Sequence, residues 1–311
     1  MSILARLKGK GPNGLGYAST ALQATAGVEL RGRTMLVTGC SSGLGRETIR
    51  VLALRGARVI ATARTLDKAR AACADLAGQG DHGGLVPLAC DLSEPGSVRA
   101  CVAAVERQDG PLDVLVCNAG IMALPRLTQK FGYELQFLTN HIGHFMLVNG
   151  LRNRMTAEGR IVVVASAAHR RAPRAGIELD NLSGARGYAP WKAYGQSKLA
   201  NILFTKELAR RAGDGGRTAN ALHPGVIDTN LNRSLPAVAR LAMRIGRPLA
   251  LKDAAQGAAT QCYLATSPAV ARVTGQYFAD CNPAQPEPIA NDTALAAQLW
   301  EASERIVASL P

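Results

Sequence analysis

From residue 33 onward, short apolar runs alternate with longer amphipathic stretches, and this alternation constrains the fold more than any other feature. The short runs, bounded by glycine or polar residues, predict buried strands, and the longer stretches repeat their apolar residues with the period of a helix. The predicted strands cover 34–38, 58–62, 85–90, 114–117, 161–165, 217–221 and 276–279. The predicted helices cover 44–55, 66–76, 97–108, 131–151, 192–211, 254–264 and 293–309.

Strand, helix and strand in repeated succession favour parallel strands joined by crossover helices. Parallel strands are buried on both faces, and the runs at 114–117 and 161–165 are continuously apolar, as that burial requires. We therefore predict one α/β domain over 31–311, with a doubly wound sheet of seven parallel strands and helices on both faces. Residues 1–30 are predicted to form an N-terminal extension, with a short helix over 3–7.

Two segments interrupt the alternation. Residues 169–190 are polar and contain glycine and proline, and residues 226–252 are rich in arginine and proline. Both follow predicted strand ends, where open α/β sheets bind their ligands. We expect these variable segments to set substrate specificity. Leu241 and Met243 either line an apolar pocket or pack a lid onto the core, and the sequence favours neither.

Composition excludes several classes of protein. No stretch reaches the ~18 apolar residues of a membrane-spanning helix, and the N-terminus lacks a secretory signal, so we expect a cytoplasmic protein without a membrane span.

The 7 cysteines form no CxxC pair, which favours reduced thiols over disulfides or zinc. The net charge of +13 allows nucleic-acid binding, but the basic residues occur only in small sets. We favour an anionic cofactor and predict no nucleic-acid partner.

A glycine-rich turn, TGCSSGLG at 38–45, lies between the first predicted strand and the first predicted helix. Glycine lets the backbone approach a pyrophosphate, and the N–H groups of a helix N-terminus attract the anion. This placement is the one that a dinucleotide-binding turn requires. An ordinary glycine-rich turn is the alternative, since the chain has 32 glycines. The turn residues expected at a cofactor are Thr38, Gly39, Ser41, Ser42, Gly43, Leu44 and Gly45.

The second predicted strand ends next to Arg64. At this place a dinucleotide fold carries an acidic residue for the ribose of NAD, or an arginine for the 2′-phosphate of NADP. No acidic residue occurs between Glu47 and Asp67. Arg64 therefore predicts that NADP(H) is preferred over NAD(H), and Arg46 could assist. A solvated loop arginine is the alternative.

Tyr194 and Lys198 lie four residues apart at the start of a predicted helix, which places the phenol and the ammonium on one helix face. A phenol with its ordinary pKa near 10 is a poor base at neutral pH. A nearby ammonium lowers that pKa, so the pair could exchange a proton with a carbonyl or alcohol. A surface tyrosine and lysine are the alternative, because this spacing alone often arises by chance.

Together these motifs resemble the short-chain dehydrogenase/reductase family. The resemblance covers about residues 31–280, and the motifs stand in the family's order. They are TGCSSGLG (38–45), CDL (90–92), NAG (118–120), Asn140 within NHIGHF, Ser166, YGQSK (194–198) and HPG (223–225). The resemblance implies a Rossmann-type fold and a nicotinamide cofactor.

The resemblance also implies a role for each matched residue. Tyr194 is expected to be the general acid/base, and Ser166 to hydrogen-bond the substrate oxygen. Lys198 is expected to hold the nicotinamide ribose and to lower the pKa of Tyr194. Asn140 is expected to anchor a water that links Lys198 to solvent, with a helix-interior asparagine as the alternative. The further cofactor contacts implied are Asp91, Leu92, Asn118, Ala119, Gly120, Tyr194 itself, Pro224 and Gly225.

Within the family, the chain is similar to the branch of retinol dehydrogenases and WW-domain oxidoreductases. The signs are AHR after Ser166, the insertion DNLS at 180–183, SKLAN at 197–201 and LWEASE at 299–304. Neither a WW domain nor the membrane-anchoring N-terminal helix of the retinol enzymes is recognised, so a membrane retinoid role is not expected.

These features predict an NADP(H)-dependent oxidoreductase that acts on a ketone, an aldehyde or a secondary alcohol, with a lipophilic carbonyl compound as the expected substrate. A non-catalytic NADP(H)-binding regulator or scaffold with the same fold is the alternative. A homodimer or homotetramer through the helices near 131–151 and 192–211 is possible on the family pattern. No metal site is expected, because no carboxylate or cysteine shares the spacing of His141, His144 and His169.

Overall fold

The computed structural model describes residues 9–77, 84–213, 215–227 and 251–311. Within them, one eight-stranded sheet has the order β10-β9-β8-β7-β4-β1-β2-β3. The strands in chain order are β1 Thr34–Thr38, β2 Arg58–Ala63, β3 Leu85–Ala89, β4 Leu112–Cys117, β5 Gln129–Lys130, β6 Tyr133–Glu134, β7 Met155–Val164, β8 Thr218–His223, β9 Tyr277–Ala279 and β10 Asn282–Pro283. The strands β5 and β6 pair separately as a hairpin.

Seven strands of this sheet are parallel to one another, as predicted. They are β1, β2, β3, β4, β7, β8 and β9. The predicted strand number of seven is corrected to eight, because the two-residue strand β10 pairs antiparallel with β9. So short a strand, ending in proline, carries no apolar pattern that a sequence could reveal.

Alternate side chains of the central strands enter two different cores. Leu36 and Leu115 belong to one apolar cluster with the helices Pro95–Glu106, Gly143–Leu151, Pro190–Ala212 and Thr293–Ser309. Val37 and Val116 belong to the other, with the helices Gly43–Leu54, Leu66–Ala77 and Ala259–Thr266. The sheet is therefore doubly wound, with helices on both faces, and strands buried on both faces explain the continuously apolar runs.

The helix predicted over 131–151 begins later and is irregular. The hairpin of β5 and β6 occupies its first residues, and Phe131 has a φ of 52° that an α-helix does not allow. The helical part consists of Leu135–Phe137, a π-helical turn at Leu138–Ile142, and then Gly143–Leu151. π-Helical turns inside α-helices are frequent at functional sites, and this one contains Asn140.

Several shorter helices complete the fold. The predicted helix over 254–264 is divided into Ala254–Gly257 and Ala259–Thr266. The variable segment 169–190 is irregular apart from the 3-10 turns Ala167–Arg171 and Leu179–Asn181. Most of the segment 226–252, including Leu241 and Met243, and the predicted helix over 3–7 lie outside the described residues. The remaining helical turns are Ala21–Ala24, Arg152–Arg154, Pro268–Val270 and Pro288–Asn291.

Part of the N-terminal extension packs on the far edge of the sheet. The Asn13 side chain donates to the Cys281 carbonyl at 2.7 Å, and the Asn282 side chain donates to the Leu15 carbonyl at 3.1 Å. The helix Ala21–Ala24 begins with Thr20 in a reciprocal capping box. The extension is therefore anchored to the turn between β9 and β10.

All 7 cysteines are buried and free of disulfides. Burial raises the pKa of Cys40, Cys117 and Cys262 above the ordinary thiol value.

In the described part of the chain, no helix is both long and apolar enough to cross a bilayer.

Candidate active site

The predicted site residues meet at the carboxyl edge of the sheet. Thr38 ends β1, Asn118 follows β4, Ser166 follows β7 and Pro224 follows β8. These four strands are neighbours, in the order β8, β7, β4, β1. Because the strands are parallel, the residues that follow their ends gather in one crevice.

The glycine-rich turn has the backbone geometry that a phosphate-binding turn needs. Gly39 has a φ of 75° and Gly43 a φ of 58°, a region that favours glycine. A side chain at Gly45 would place its Cβ 2.2 Å from the Gly39 carbonyl oxygen, so only glycine fits there. Ser42 precedes the first helix and makes no side-chain cap to it. The free N–H groups of this helix turn fit a pyrophosphate.

Thr38 joins this turn to the loop after β4. Its hydroxyl oxygen accepts the backbone N–H groups of Asn118 and Ala119, both at 2.9 Å. The Asn118 side chain donates in return to the Thr38 carbonyl at 2.7 Å. A Cβ at Gly39 would lie 2.9 Å from the Cα of Ala119, so the two loops are in direct contact. Their approach forms one wall of the crevice.

The residues predicted for the adenosine end lie at the ends of β2 and β3. Arg64 is exposed and has no ion-pair or hydrogen-bond partner within the described ranges. The Asp91 carboxylate accepts the Ser93 N–H at 2.9 Å, and Leu92 is buried. Arg46 is engaged with Asp75 at 3.2 Å. The exposed Arg64 guanidinium is thus available to an anionic ligand at this end of the crevice.

Tyr194 is 6% exposed, and the Ser166 hydroxyl lies beside its phenol. Burial raises the pKa of Tyr194 to about 12, and the hydrogen bond with Ser166 opposes this rise. The Lys198 ammonium lies 5.8 Å from the centre of the Tyr194 ring. The lowering of the Tyr194 pKa by Lys198 stays a prediction.

Lys198 is 3% exposed, and its ammonium donates to the Val164 carbonyl at 2.9 Å. Burial lowers the pKa of Lys198 to about 8, because the charged form loses its hydration. An ammonium with so low a pKa can take part in proton exchange near neutral pH.

Asn140 lies fully buried in the π-helical turn, and its side chain is held from three sides. Its amide nitrogen donates to the Ile121 carbonyl and to the Ser197 hydroxyl, both at 2.9 Å, and its oxygen accepts the Ile121 N–H at 2.8 Å. A Cβ at Gly120 would lie 3.1 Å from this oxygen and 3.5 Å from the Lys198 nitrogen. The structure therefore brings Asn140 and Lys198 together beside Gly120.

The loop after β8 closes the crevice. The His223 ring nitrogen Nδ1 accepts the Ala167 N–H at 3.2 Å, which ties this loop to the one that carries Ser166. Burial lowers the pKa of His223 to about 4, so the ring is neutral. Gly225 has a φ of 101°, and a Cβ there would lie 2.7 Å from the Lys252 side chain.

Two features of the site were missed from the sequence. Lys252 is buried and pairs with Asp280 at 2.6 Å, and nothing in the spacing of two loop residues predicts this pair. The second is His144, whose ring contacts Thr38 and the Asn140 carbonyl. The duplicated histidine in NHIGHF is the sequence signal for this position, but it does not indicate which groups the ring contacts.

The other two histidines that could have been metal ligands, His141 and His169, have ordinary hydrogen-bond partners. His141 contacts Ser303 at 2.8 Å, and His169 contacts the Ser166 carbonyl at 2.7 Å. The described part of the chain contains no group of three or more histidine, cysteine or acidic residues placed to hold a metal ion.

The chain is similar to known proteins over most of its length. The sequence model of the short chain dehydrogenases matches residues 33–239. The short-chain dehydrogenase TIC 32 A, chloroplastic, of Brassica napus is 40% identical over 100% of both chains. Retinol dehydrogenase 14 of Mus musculus is 39% identical over 90% of this chain and 87% of its own. The WW domain-containing oxidoreductase of Danio rerio is 39% identical over 92% of this chain and 71% of its own.

Solved structures have the same architecture. A protein from Mycobacterium Paratuberculosis superposes with a TM-score of 0.74 at 34% identity, covering 92% of this chain and 97% of its own. A short chain dehydrogenase from Burkholderia cenocepacia, solved in complex with NADP, has a TM-score of 0.64 at 28% identity, over 80% of this chain and 96% of its own. The predicted fold and the predicted resemblance are both confirmed. This chain belongs to the short-chain dehydrogenase/reductase family and is an NAD(P)-dependent oxidoreductase.

Proposed function

We propose that the protein transfers hydride between NADP(H) and a ketone, an aldehyde or a secondary alcohol, with Tyr194 as the general acid/base. The observation that carries this proposal is the contact between the half-buried Ser166 hydroxyl and the buried Tyr194 phenol, with the Lys198 ammonium on the same helix face as the phenol. A bound nicotinamide supplies or accepts the hydride at its C4 carbon. The protein residues handle the substrate oxygen and its proton.

In the direction of reduction, Tyr194 acts as a proton donor. With its pKa raised to about 12, it keeps its proton at neutral pH and can deliver it to an oxygen that becomes an alkoxide. The Ser166 oxygen accepts the Ala168 N–H at 3.1 Å, which fixes the hydroxyl beside the Tyr194 phenol. A substrate oxygen that binds between the two hydroxyls would take the Ser166 hydrogen in place of the phenol. A hydrogen bond aimed at developing negative charge stabilises the transition state.

Lys198 and Asn140 would restore the proton that Tyr194 gives up. The pKa of Lys198, lowered to about 8 by burial, leaves it able to lose and regain a proton near neutral pH. We infer that Asn140 anchors a water between Lys198 and solvent. The short distances from both side chains to the same point beside Gly120 support this arrangement.

The preference for NADP(H) is proposed from Arg64. Its exposed guanidinium follows β2, where an NADP-binding fold carries an arginine for the 2′-phosphate. The Burkholderia cenocepacia relative in complex with NADP supports the same cofactor.

A lipophilic substrate is proposed from the apolar surface beside the site. Trp191 is 36% exposed, and its ring meets the Tyr194 ring edge-on at 6.0 Å. Val226, directly after the loop that follows β8, is 54% exposed. Exposed aromatic and aliphatic side chains next to a catalytic hydroxyl favour a bulky apolar carbonyl compound. Faster turnover of small polar ketones than of bulky apolar ones would contradict this.

The test is NADPH oxidation by the purified protein against aldehydes, steroid ketones, polyketide-like ketones and retinal. Turnover with at least one bulky carbonyl is expected, and Tyr194→Phe should remove it while leaving NADPH affinity within about threefold of the original. Tyr263→Phe is the matched control, because Tyr263 is also buried but lies in the helix Ala259–Thr266, remote from the reacting groups. Equal turnover by Tyr194→Phe and the unaltered protein would refute the assigned role.

A cytoplasmic location and a homodimer or homotetramer are proposed as well. The chloroplastic relative from Brassica napus shows that a protein this similar can be found in an organelle. Light scattering on the purified protein would determine its mass in solution.

A further inference from the structure

His144 occupies a fully buried position in the helix Gly143–Leu151, and both of its ring nitrogens are engaged. Nδ1 lies 3.0 Å from the backbone carbonyl of Asn140, and Nε2 lies 2.9 Å from the Thr38 hydroxyl. Thr38 and His144 are separated by 106 residues, so this contact joins two distant parts of the chain.

The chemistry of the partners determines which nitrogen carries the hydrogen. A carbonyl oxygen only accepts, so Nδ1 must be protonated to bond the Asn140 carbonyl. In a neutral ring Nε2 is then an acceptor. It lies 2.9 Å from the Thr38 hydroxyl oxygen, whereas the other acceptor, the Val116 carbonyl, lies 3.4 Å away, so the hydroxyl hydrogen goes to Nε2. Burial lowers the pKa of His144 to about 4, which keeps the ring neutral and this arrangement in place at physiological pH.

Each partner belongs to a different half of the site. The Thr38 oxygen accepts the N–H groups of Asn118 and Ala119, so the direction of its hydroxyl affects how the cofactor turn meets the loop after β4. Asn140 holds Ile121 and Ser197 and lies beside Lys198. The Asn140 carbonyl lies in a π-helical turn, where the regular helical hydrogen bonds are displaced.

We propose that His144 is a positioning residue that couples the cofactor turn to the catalytic network, with Nε2 holding Thr38 and Nδ1 holding the Asn140 carbonyl. This inference rests on the proposed function for what happens at Asn140, whereas the Thr38 contact concerns cofactor binding alone. Packing alone, with no effect on binding or turnover, is the competing role.

Two conservative variants separate the two contacts. In asparagine the amide nitrogen takes a place near that of Nδ1, and in glutamine the amide oxygen can reach a place near that of Nε2. His144→Asn should therefore keep the contact to Asn140 and lose the one to Thr38, while His144→Gln should do the reverse. His144→Phe loses both.

The expected results differ between the variants. Loss of a buried hydrogen bond costs about tenfold in the equilibrium that depends on it. His144→Asn should weaken NADPH binding about tenfold and keep kcat at saturating NADPH within about threefold. His144→Gln should keep the NADPH Kd within about threefold and lower kcat about tenfold. His144→Phe should show both losses.

The matched control is His141→Asn. His141 is equally buried one turn earlier, but its ring contacts Ser303, Asn201 and the rings of Phe145 and Phe204, and neither Thr38 nor the Asn140 carbonyl. This variant should lower Tm without changing the Kd or kcat. If all His144 variants behave like this control, or if the Asn and Gln variants lose binding and turnover in equal proportion, the proposal is wrong.

A measurement on the unaltered protein remains informative if the variants do not fold. Long-range ¹H–¹⁵N NMR spectra of ¹⁵N-histidine-labelled protein distinguish the two neutral tautomers, and His144 should carry its proton on Nδ1. A proton on Nε2, or a charged ring at pH 7, would overturn the assignment. If the protein binds NADPH but reduces no carbonyl, the proposed function fails, while the NADPH affinities of His144→Asn and His144→Gln still test the Thr38 contact.

Discussion

The two ends of the crevice are built in different ways. At the adenosine end, Arg64 is exposed and Arg46 forms an ion pair at the surface with Asp75. At the reacting end, Tyr194 and Lys198 are almost fully buried, and Lys198 donates to the Val164 carbonyl at 2.9 Å. One end presents charge to solvent, and the other holds its polar groups in fixed positions inside the protein.

The difference follows from what each end must do. Attraction between an arginine and a phosphate acts over several ångströms and tolerates movement of the side chain. Proton transfer requires heavy atoms within about 3 Å of one another. Substitutions at the buried end should therefore change turnover by orders of magnitude, and substitutions at the exposed end should change cofactor affinity more modestly.

The largest effect is expected for Lys198→Met. Loss of the ammonium should lower kcat by about 10²- to 10⁴-fold, the usual range for a group that supports general acid/base catalysis. The measurement is steady-state NADPH oxidation at saturating cofactor. A loss smaller than about tenfold would show that Tyr194 works without Lys198.

The same variant should be more stable at neutral pH, because burial lowers the pKa of Lys198 from 10.5 to about 8. Between these values the unfolded chain binds more protons than the folded one, so the stability associated with Lys198 rises with pH. The cost of burying the charged Lys198 ammonium is present in full below pH 8 and disappears as the pH rises toward 10.5. The Tm advantage of Lys198→Met should thus shrink as the pH is raised from 7 to 10. A constant difference would contradict the lowered pKa.

An intermediate effect is expected where the two ends meet, at Gly45. Its replacement by alanine would force a Cβ to 2.2 Å from the Gly39 carbonyl oxygen, so we expect a loss of about 1–3 kcal/mol in the free energy of unfolding and weaker NADPH binding. Gly96→Ala is the matched control in the helix Pro95–Glu106, where no atom lies within 4 Å of the added Cβ. That control should stabilise the protein by about 0.5–1 kcal/mol in urea unfolding. Equal effects of the two substitutions on stability would contradict this prediction, because the backbone at 38–45 would then have moved to make room for the added Cβ.

The smallest effects are expected at the exposed arginines. Arg64→Ala should weaken NADPH binding about 5- to 10-fold and leave NADH binding nearly unchanged, because it removes a solvent-exposed, charge-assisted contact to the 2′-phosphate alone. Arg46→Ala should cost threefold or less, since this side chain is already paired with Asp75. Titration of each variant with both cofactors measures this directly. Equal losses for NADPH and NADH in Arg64→Ala would refute the NADP preference.

Features with a local pattern could be predicted from the sequence. The alternation of strands and helices indicated the doubly wound sheet, and the glycine spacing indicated the turn at 38–45, where Gly39 and Gly43 do have positive φ values. The placement of Tyr194 and Lys198 on one helix face follows from their spacing alone.

Features that depend on the folded surroundings could not be predicted. The upward shift of the Tyr194 pKa depends on how much water the surrounding chain excludes, and a short sequence motif does not indicate this. The contact between Thr38 and His144 spans 106 residues, and the pair of Lys252 with Asp280 joins two loops. The sequence predicts residues 131–134 of the hairpin as the start of a helix, because the short strands of this hairpin carry no alternation of their own.

The buried cysteines allow local opening of the structure to be measured by thiol modification. Because every thiol is buried and burial raises the pKa of most of them, a maleimide or disulfide reagent can react only when the surrounding structure opens. Cys40 lies in the cofactor turn and Cys117 directly before Asn118. A ligand that binds only the closed state slows such labelling in proportion to its occupancy. The modification rate of these two thiols can therefore measure nicotinamide affinity without a substrate.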